Sequence, residues 1–128
     1  MTQKDKKLLL KDLCGRLPYE VKMNHVADND ITPTTLVGIA KNMITLEDNG
    51  GYATANIDEY KPYLFPMSSM TEEQTFEIRS YLNSIEGRMI GMQGRAIYTI
   101  DWLNQHHFDH RGLIEKGLAI DATNLNVY

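Results

Sequence analysis

The chain has 128 residues, of which 42% are hydrophobic and 23% charged. This balance suits one globular domain over residues 1–128 and is not the signature of a disordered chain. A formal net charge of −4 supplies no positive field for a phosphate backbone, so nucleic acid is disfavoured as a partner.

Near the N-terminus the longest apolar run is Leu8-Leu9-Leu10, too short for a secretory leader or a bilayer span. The expectation is a cytoplasmic protein with no membrane partner. Residues 4–17 predict a first helix. Leu10, Leu13, Cys14 and Leu17 share one face, Lys6, Lys7, Lys11 and Asp12 fall elsewhere, and Pro18 stops it. Cys14, the single cysteine, then reads as a small buried hydrophobe in a reducing compartment. The lysines at 4, 6, 7 and 11 read as a solvated face.

Tyr19, Val21 and Met23 alternate with polar residues, which predicts a strand with one wet face. Asp28-Asn29-Asp30 ends it as a turn. The trio resembles half of a calcium loop, but the later glycine and distal glutamate are absent at the required spacing, so calcium is not expected. Segments 35–40 and 43–46, joined by Lys41-Asn42, predict a hairpin. Asp48-Asn49-Gly50-Gly51 is a stronger turn signal, and residues 19–57 read as a four-stranded antiparallel meander.

Lys61-Pro62-Tyr63-Leu64-Phe65-Pro66 is bracketed by prolines, which predicts a short edge strand. Tyr60, Tyr63 and Phe65 either cover the core or offer an aromatic edge to a partner's strand. Thr71 with Gln74 forms a capping box ahead of an apolar stripe at Ile78, Tyr81, Leu82, Ile85 and Met89. Gly87, Gly91 and Gly94, beside Arg88 and Arg95, match neither nucleotide-binding glycine motif and read as close helix packing or a kink. Ser68 and Ser69 lack the glycines of a nucleophile elbow and read as residues leading into the helix cap.

Thr99 can cap a last helix over 100–111, closed by Gly112. A packed turn and a short strand or helical turn follow to residue 120, and residues 122–128 are expected to be loose. The last helix carries Trp102 and the imidazoles of His106, His107 and His110, which project within a roughly 100° arc. His106, Asp109 and His110 are the candidate metal ligands, with a further ligand to come from His25, Glu115 or Asp121. The segment lacks the glutamate of a His-Glu-x-x-His site, and basic groups in the last turns of a helix suit its dipole. The favoured reading therefore holds no metal and no cofactor.

Lys11-Asp-Leu-Cys-Gly-Arg-Leu-Pro18, Lys61-Pro-Tyr-Leu-Phe-Pro-Met-Ser-Ser-Met-Thr71, His106-His-Phe-Asp109, Arg111-Gly-Leu-Ile114 and Gly117-Leu-Ala-Ile-Asp-Ala122 resemble a set of short proteins of prophages and mobile elements of gut bacteria. The resemblance covers most of the chain and implies no activity, cofactor or catalytic residue. In that group tyrosine commonly holds the place of His110, which argues against a metal role there.

The expected architecture is α+β: a curved antiparallel sheet or small open barrel flanked by an N-terminal helix and two C-terminal helices. The expected function is a non-enzymatic, phage-encoded protein-interaction module that binds a protein partner, or itself, through Tyr60, Tyr63, Phe65 and Trp102. The alternatives are a metal-dependent hydrolase on His106, Asp109 and His110, and a nucleic-acid accessory protein using Arg88, Arg95, Arg111 and the N-terminal lysines.

Overall fold

A computed structural model describes residues 1–27 and 32–128; the Asp28-Asn29-Asp30 turn and its calcium reading lie outside the described residues. Helix α1 (Gln3–Arg16) starts on a reciprocal cap: Thr2 Oγ1 accepts from Asp5 N at 3.1 Å, and the Asp5 carboxylate accepts from Thr2 N. Its buried face is Leu9, Asp12, Leu13 and Arg16, one residue around from the predicted face. Cys14 is accordingly exposed, not buried. The rotation has a physical cause, because Asp12 and Arg16 neutralise each other four residues apart and enter the interior as a pair.

A 3-10 turn at Leu17–Tyr19 and left-handed Glu20, with φ 57°, delay the first strand. Strand β1 (Lys22–His25) therefore begins three residues later than Tyr19, although Val21 and Met23 are both buried as the alternation requires. Strands β2 (Thr34–Ala40), β3 (Met43–Asp48) and β4 (Gly51–Asn56) complete the meander. Lys41 turns the first hairpin with φ 58°. Asn49 and Gly50, at 47° and 82°, supply the two positive φ values that a tight hairpin turn needs.

Strand β5 (Tyr60–Leu64) is not an edge. It pairs antiparallel with β1 and parallel with β6 (Ile120–Asp121), giving the order β4-β3-β2-β1-β5-β6 in an open, mixed sheet rather than a wholly antiparallel one. The proline is accommodated because β6 starts opposite Tyr63, one residue past Pro62. Leu9 and Leu13 of α1 pack with Val21, Met23, Leu36, Ile44, Leu46, Leu64 and Leu113 as the main core.

Helix α2 (Glu72–Leu82) carries the predicted capping box, with Thr71 Oγ1 accepting from Gln74 N at 3.2 Å and Gln74 Oε1 accepting from Thr71 N at 2.9 Å. A short helix α3 (Ile85–Met89) and a long α4 (Gly91–Gln105) follow, so the C-terminal helices number three. Helix α4 replaces the predicted 100–111 helix. Thr99 is internal to it, donating to Arg95 O at 2.9 Å. The helix ends at Gln105 because His107 takes φ 64°, and Gly112 lies in the loop beyond. Ile78, Trp102, Leu103 and Phe108 form a second core.

The glycine and arginine stretch is helix packing. A Cβ on Gly87 would lie 2.1 Å from Tyr81 O, and Arg95 donates to Leu82 O and Gly87 O across the α2–α3 corner. Residues 122–128 are not loose at their end. The Tyr128 hydroxyl donates to Tyr63 O at 2.7 Å and accepts from Lys22 N at 3.0 Å. Among the described residues no helix is long and apolar enough to cross a membrane.

Candidate functional site

The segment from Trp102 to Leu113 joins α4 to the sheet, and its three imidazoles part company where the helix stops. His106 Nδ1 lies 2.8 Å from Trp102 O, and because a carbonyl only accepts, this nitrogen carries a proton; in the neutral ring Nε2 then holds the lone pair. The ring stacks on Trp102 at 3.8 Å. His107 turns away in the left-handed region and stacks on Tyr128 at 3.7 Å, its Nδ1 buried without a partner. His110 Nε2 donates to the buried Asn104 Oδ1 at 2.8 Å.

Burial, reinforced by the charge of Arg16, pushes His107 down to about 4. Burial, with Arg16 nearby, also lowers His110. Both rings are therefore held toward the neutral form. Tyr128 is driven well above its ordinary value by burial.

Asp109, the candidate ligand between them, is committed to the backbone. Its two carboxylate oxygens accept from Leu113 N at 2.8 Å and Ile114 N at 2.9 Å, tying the loop down. Among the described residues no group of three or more His, Cys, Asp or Glu side chains is placed to hold a metal ion. His106, Asp109 and His110 thus do not converge, and Glu115, Asp121 and His25 do not complete a set with them.

Beneath the loop lies a buried ionic knot. Arg16, fully enclosed, donates from Nε to Asp12 Oδ2 at 2.6 Å and from Nη2 to both Asp12 Oδ1 and Phe108 O. Arg111 Nε stands 3.4 Å from Asp12 Oδ1, an ion pair without hydrogen-bond geometry. Of the arginines considered for nucleic acid, Arg95 and Arg111 are thus engaged inside the fold, and Arg88 is exposed on α3. Lys6 pairs with Asp58 at 3.2 Å.

The four aromatics expected to anchor a partner divide. Tyr63 and Trp102 are 2% and 4% exposed and belong to the interior, so neither can meet a partner without unfolding its surroundings. Tyr60 and Phe65 are half-buried; Tyr60 meets His25 edge to face at 5.0 Å, and Phe65 lies beside Phe108 and Tyr128. Tyr63 lies on β5, inside the sheet rather than at its edge, and Trp102 belongs to the second core with Phe108.

Two surface features remain. A hollow of about 450 Å³ opens where Phe65, His106, His107 and Phe108 meet Thr71, Gln74 and Gln105. On the helices, Phe76, Ile85, Met89 and Met92 are 72%, 80%, 81% and 88% exposed, with Ile97 and Ile100 further along α4. The sequence predicts Ile85 and Met89 on a core stripe continuous with Ile78. The break between α2 and α3 at Asn83 and Ser84 turns them outward. The signal was present in Met89-Ile90-Gly91-Met92, since a glycine-broken apolar run cannot keep one face toward a core.

Compared with protein-family models, with curated proteins and with solved structures, the chain matches none of them.

Proposed function

We propose that the protein is a non-enzymatic interaction module that binds another protein through the helical surface around Phe76, Ile85, Met89 and Met92, in place of the aromatic edge on β5. The observation that carries this reading is the near-complete exposure of four large apolar side chains on neighbouring helices. Large apolar side chains exposed in this number on neighbouring helices are costly to leave in water and a usual mark of an interface, and methionine adapts readily to a partner's contour. A cytoplasmic place and an origin in a prophage or mobile element belong to the same reading, and the second rests on the resemblance of the segments quoted above.

The rival readings draw less support. A hydrolase on His106, Asp109 and His110 would need three groups that here bond to Trp102 O, to two backbone amides and to Asn104. A nucleic-acid surface would lose Arg95 and Arg111, which here face carbonyls and Asp12, and would keep only Arg88 and the N-terminal lysines on a chain of net charge −4.

A photoreactive phenylalanine analogue introduced at Met92, with a control at the exposed Tyr52 of β4, tests the proposal in cells that carry the gene. A discrete adduct at position 92 and none at 52 is expected, and its mass separates a foreign protein from a second copy. The double variant Met89→Glu/Met92→Glu should abolish that partner's co-purification with the melting temperature unchanged. Absence of any adduct at 92, or equal labelling from 52, overturns it.

A further inference from the structure

We infer that the hollow between the Pro66 to Thr71 turn and the end of α4 binds an uncharged planar heterocycle carrying an N–H donor beside an acceptor, as on the edge of a cyclic amide or a nucleobase. The hollow measures about 450 Å³, within the range of small-molecule sites and ample for a one- or two-ring compound. Its apolar wall is made of four rings, Phe65, His106, His107 and Phe108. Its polar lining comes from Ser69, Thr71, Gln74, Gln105, Thr123 and Asn124, so no Asp, Glu, Lys or Arg faces the ligand. Flat apolar walls with neutral polar groups favour a flat neutral guest, because a charged one would lose its hydration without a counter-charge.

The hydrogen-bonding pattern is set before the ligand arrives. The Nδ1 proton of His106 is given to Trp102 O, which leaves Nε2 as an acceptor, and stacking on Trp102 fixes the ring. Gln74 Oε1 is engaged by Thr71 N, which leaves its NH₂ group as a donor. His106 and Gln74 both line the hollow, so a guest able to donate to one and accept from the other matches the two. His106, stacked on Trp102, and His107, stacked on Tyr128 with φ 64°, both line the hollow. Such conformations are disfavoured for a residue with a side chain and concentrate at functional sites. Burial holds the His107 part of this wall in the neutral form at neutral pH.

The same edge could arrive on a free base or within a polynucleotide. The chain's net charge of −4 and the absence of basic residues from the lining point to the free molecule. Uracil and adenine serve as probes, with 1,3-dimethyluracil lacking the N–H donor, benzoate carrying a charge, and a short oligothymidylate as the polymer arm. Trp102, the single tryptophan, stacks on His106 and reports binding by its fluorescence, alongside NMR shifts of the Gln74 side-chain NH₂.

Saturable binding of uracil or adenine is expected, with dimethyluracil and benzoate weaker by about tenfold or more. His106→Phe keeps a ring against Trp102 but removes the acceptor, and should weaken uracil by about tenfold. Gln105→Phe, at an exposed position on the rim, should block every probe with the melting temperature unchanged. Shifts that never saturate, dimethyluracil binding as well as uracil, or undiminished binding by both variants each overturn the inference. Tighter binding of the oligonucleotide than of free bases overturns its assignment to a free molecule. None of these outcomes depends on the protein partner proposed above, whose surface is Phe76, Ile85, Met89 and Met92.

Discussion

Asp12 and Arg16 show what it takes to place charge inside a small core. Both side chains are enclosed, and Arg16 reaches Asp12 and Phe108 O while its Nη1 goes without a partner. Such a pair contributes little net stability, yet removing one member strands the other. Asp12→Ala should therefore cost about 3–5 kcal/mol, whereas Asp12→Leu/Arg16→Met should cost far less than the two single changes summed. Urea unfolding of the three variants measures this, and additive losses would sink it.

His107 gives the fold an acid sensitivity. Its unfolded imidazole protonates near 6.5 and its folded one at about 4, so between those values the unfolded chain binds more protons. The stability it supports is complete above pH 6.5 and is lost as the pH falls toward 4. The loss is about 2 kcal/mol, below the full conversion because the ring is only half-buried and solvent screens it. His110, lowered in the same direction, adds to the same window. Melting curves at pH 7.5 and pH 4.5 should show a smaller drop for His107→Phe than for the natural chain; equal drops would exclude the assignment.

At the scale of elements, the glycine at the α2–α3 corner is set by contact. A methyl group on Gly87 would meet Tyr81 O at 2.1 Å and Leu82 Cα at 2.8 Å, and backbone atoms have nowhere to go. On Gly94 it would meet Ile90 Cβ at 2.8 Å, a smaller overlap that a slight shift of the backbone at the α3–α4 junction would relieve. Gly87→Ala should destabilise by about 3 kcal/mol and Gly94→Ala by about 1 kcal/mol, read from denaturation midpoints. Equal effects would mean that the corner is looser than described.

These elements also show how far the sequence could be read. Both hairpin turns and the Thr71 cap were legible because their chemistry is local: a positive φ or a side-chain oxygen three residues from an amide. The face of α1 was not, because an apolar count cannot register that Asp12 and Arg16 cancel each other's charge. The extent of α4 was hidden by two glycines at its start, Gly91 and Gly94, and by a histidine, not Gly112, taking the left-handed turn at its end. With that helix misplaced by about two turns, the three imidazoles were put on one face. In the structure one meets a tryptophan, one a tyrosine and one an asparagine. The hollow was illegible for a further reason: Phe65, Gln74, His106 and Asn124 come from four separate stretches.

For the whole molecule, the sheet divides into a local part and a distant part. Strands β2, β3 and β4 pair through tight turns, whereas β5 needs both β1 and the remote β6, helped by the bridge from Phe65 to Phe108. Hydrogen exchange should report this split. The amides of Ile44 and Leu46 should open only with global unfolding, while Phe65, Asp109 and Ala122, whose amides bond to His107 O, Phe65 O and Leu64 O, should open at lower energy. Uniform protection across both groups would contradict it.

The β5–β6 pairing bears on how the protein is made. On the ribosome, the residues up to Asn56 can collapse into their hairpins while Tyr63 and Leu64 still await Ile120 and Asp121, which are translated after all three C-terminal helices. Throughout that interval the nascent chain displays a bare strand flank and the ring of Phe65, a stretch that chaperones would recognise.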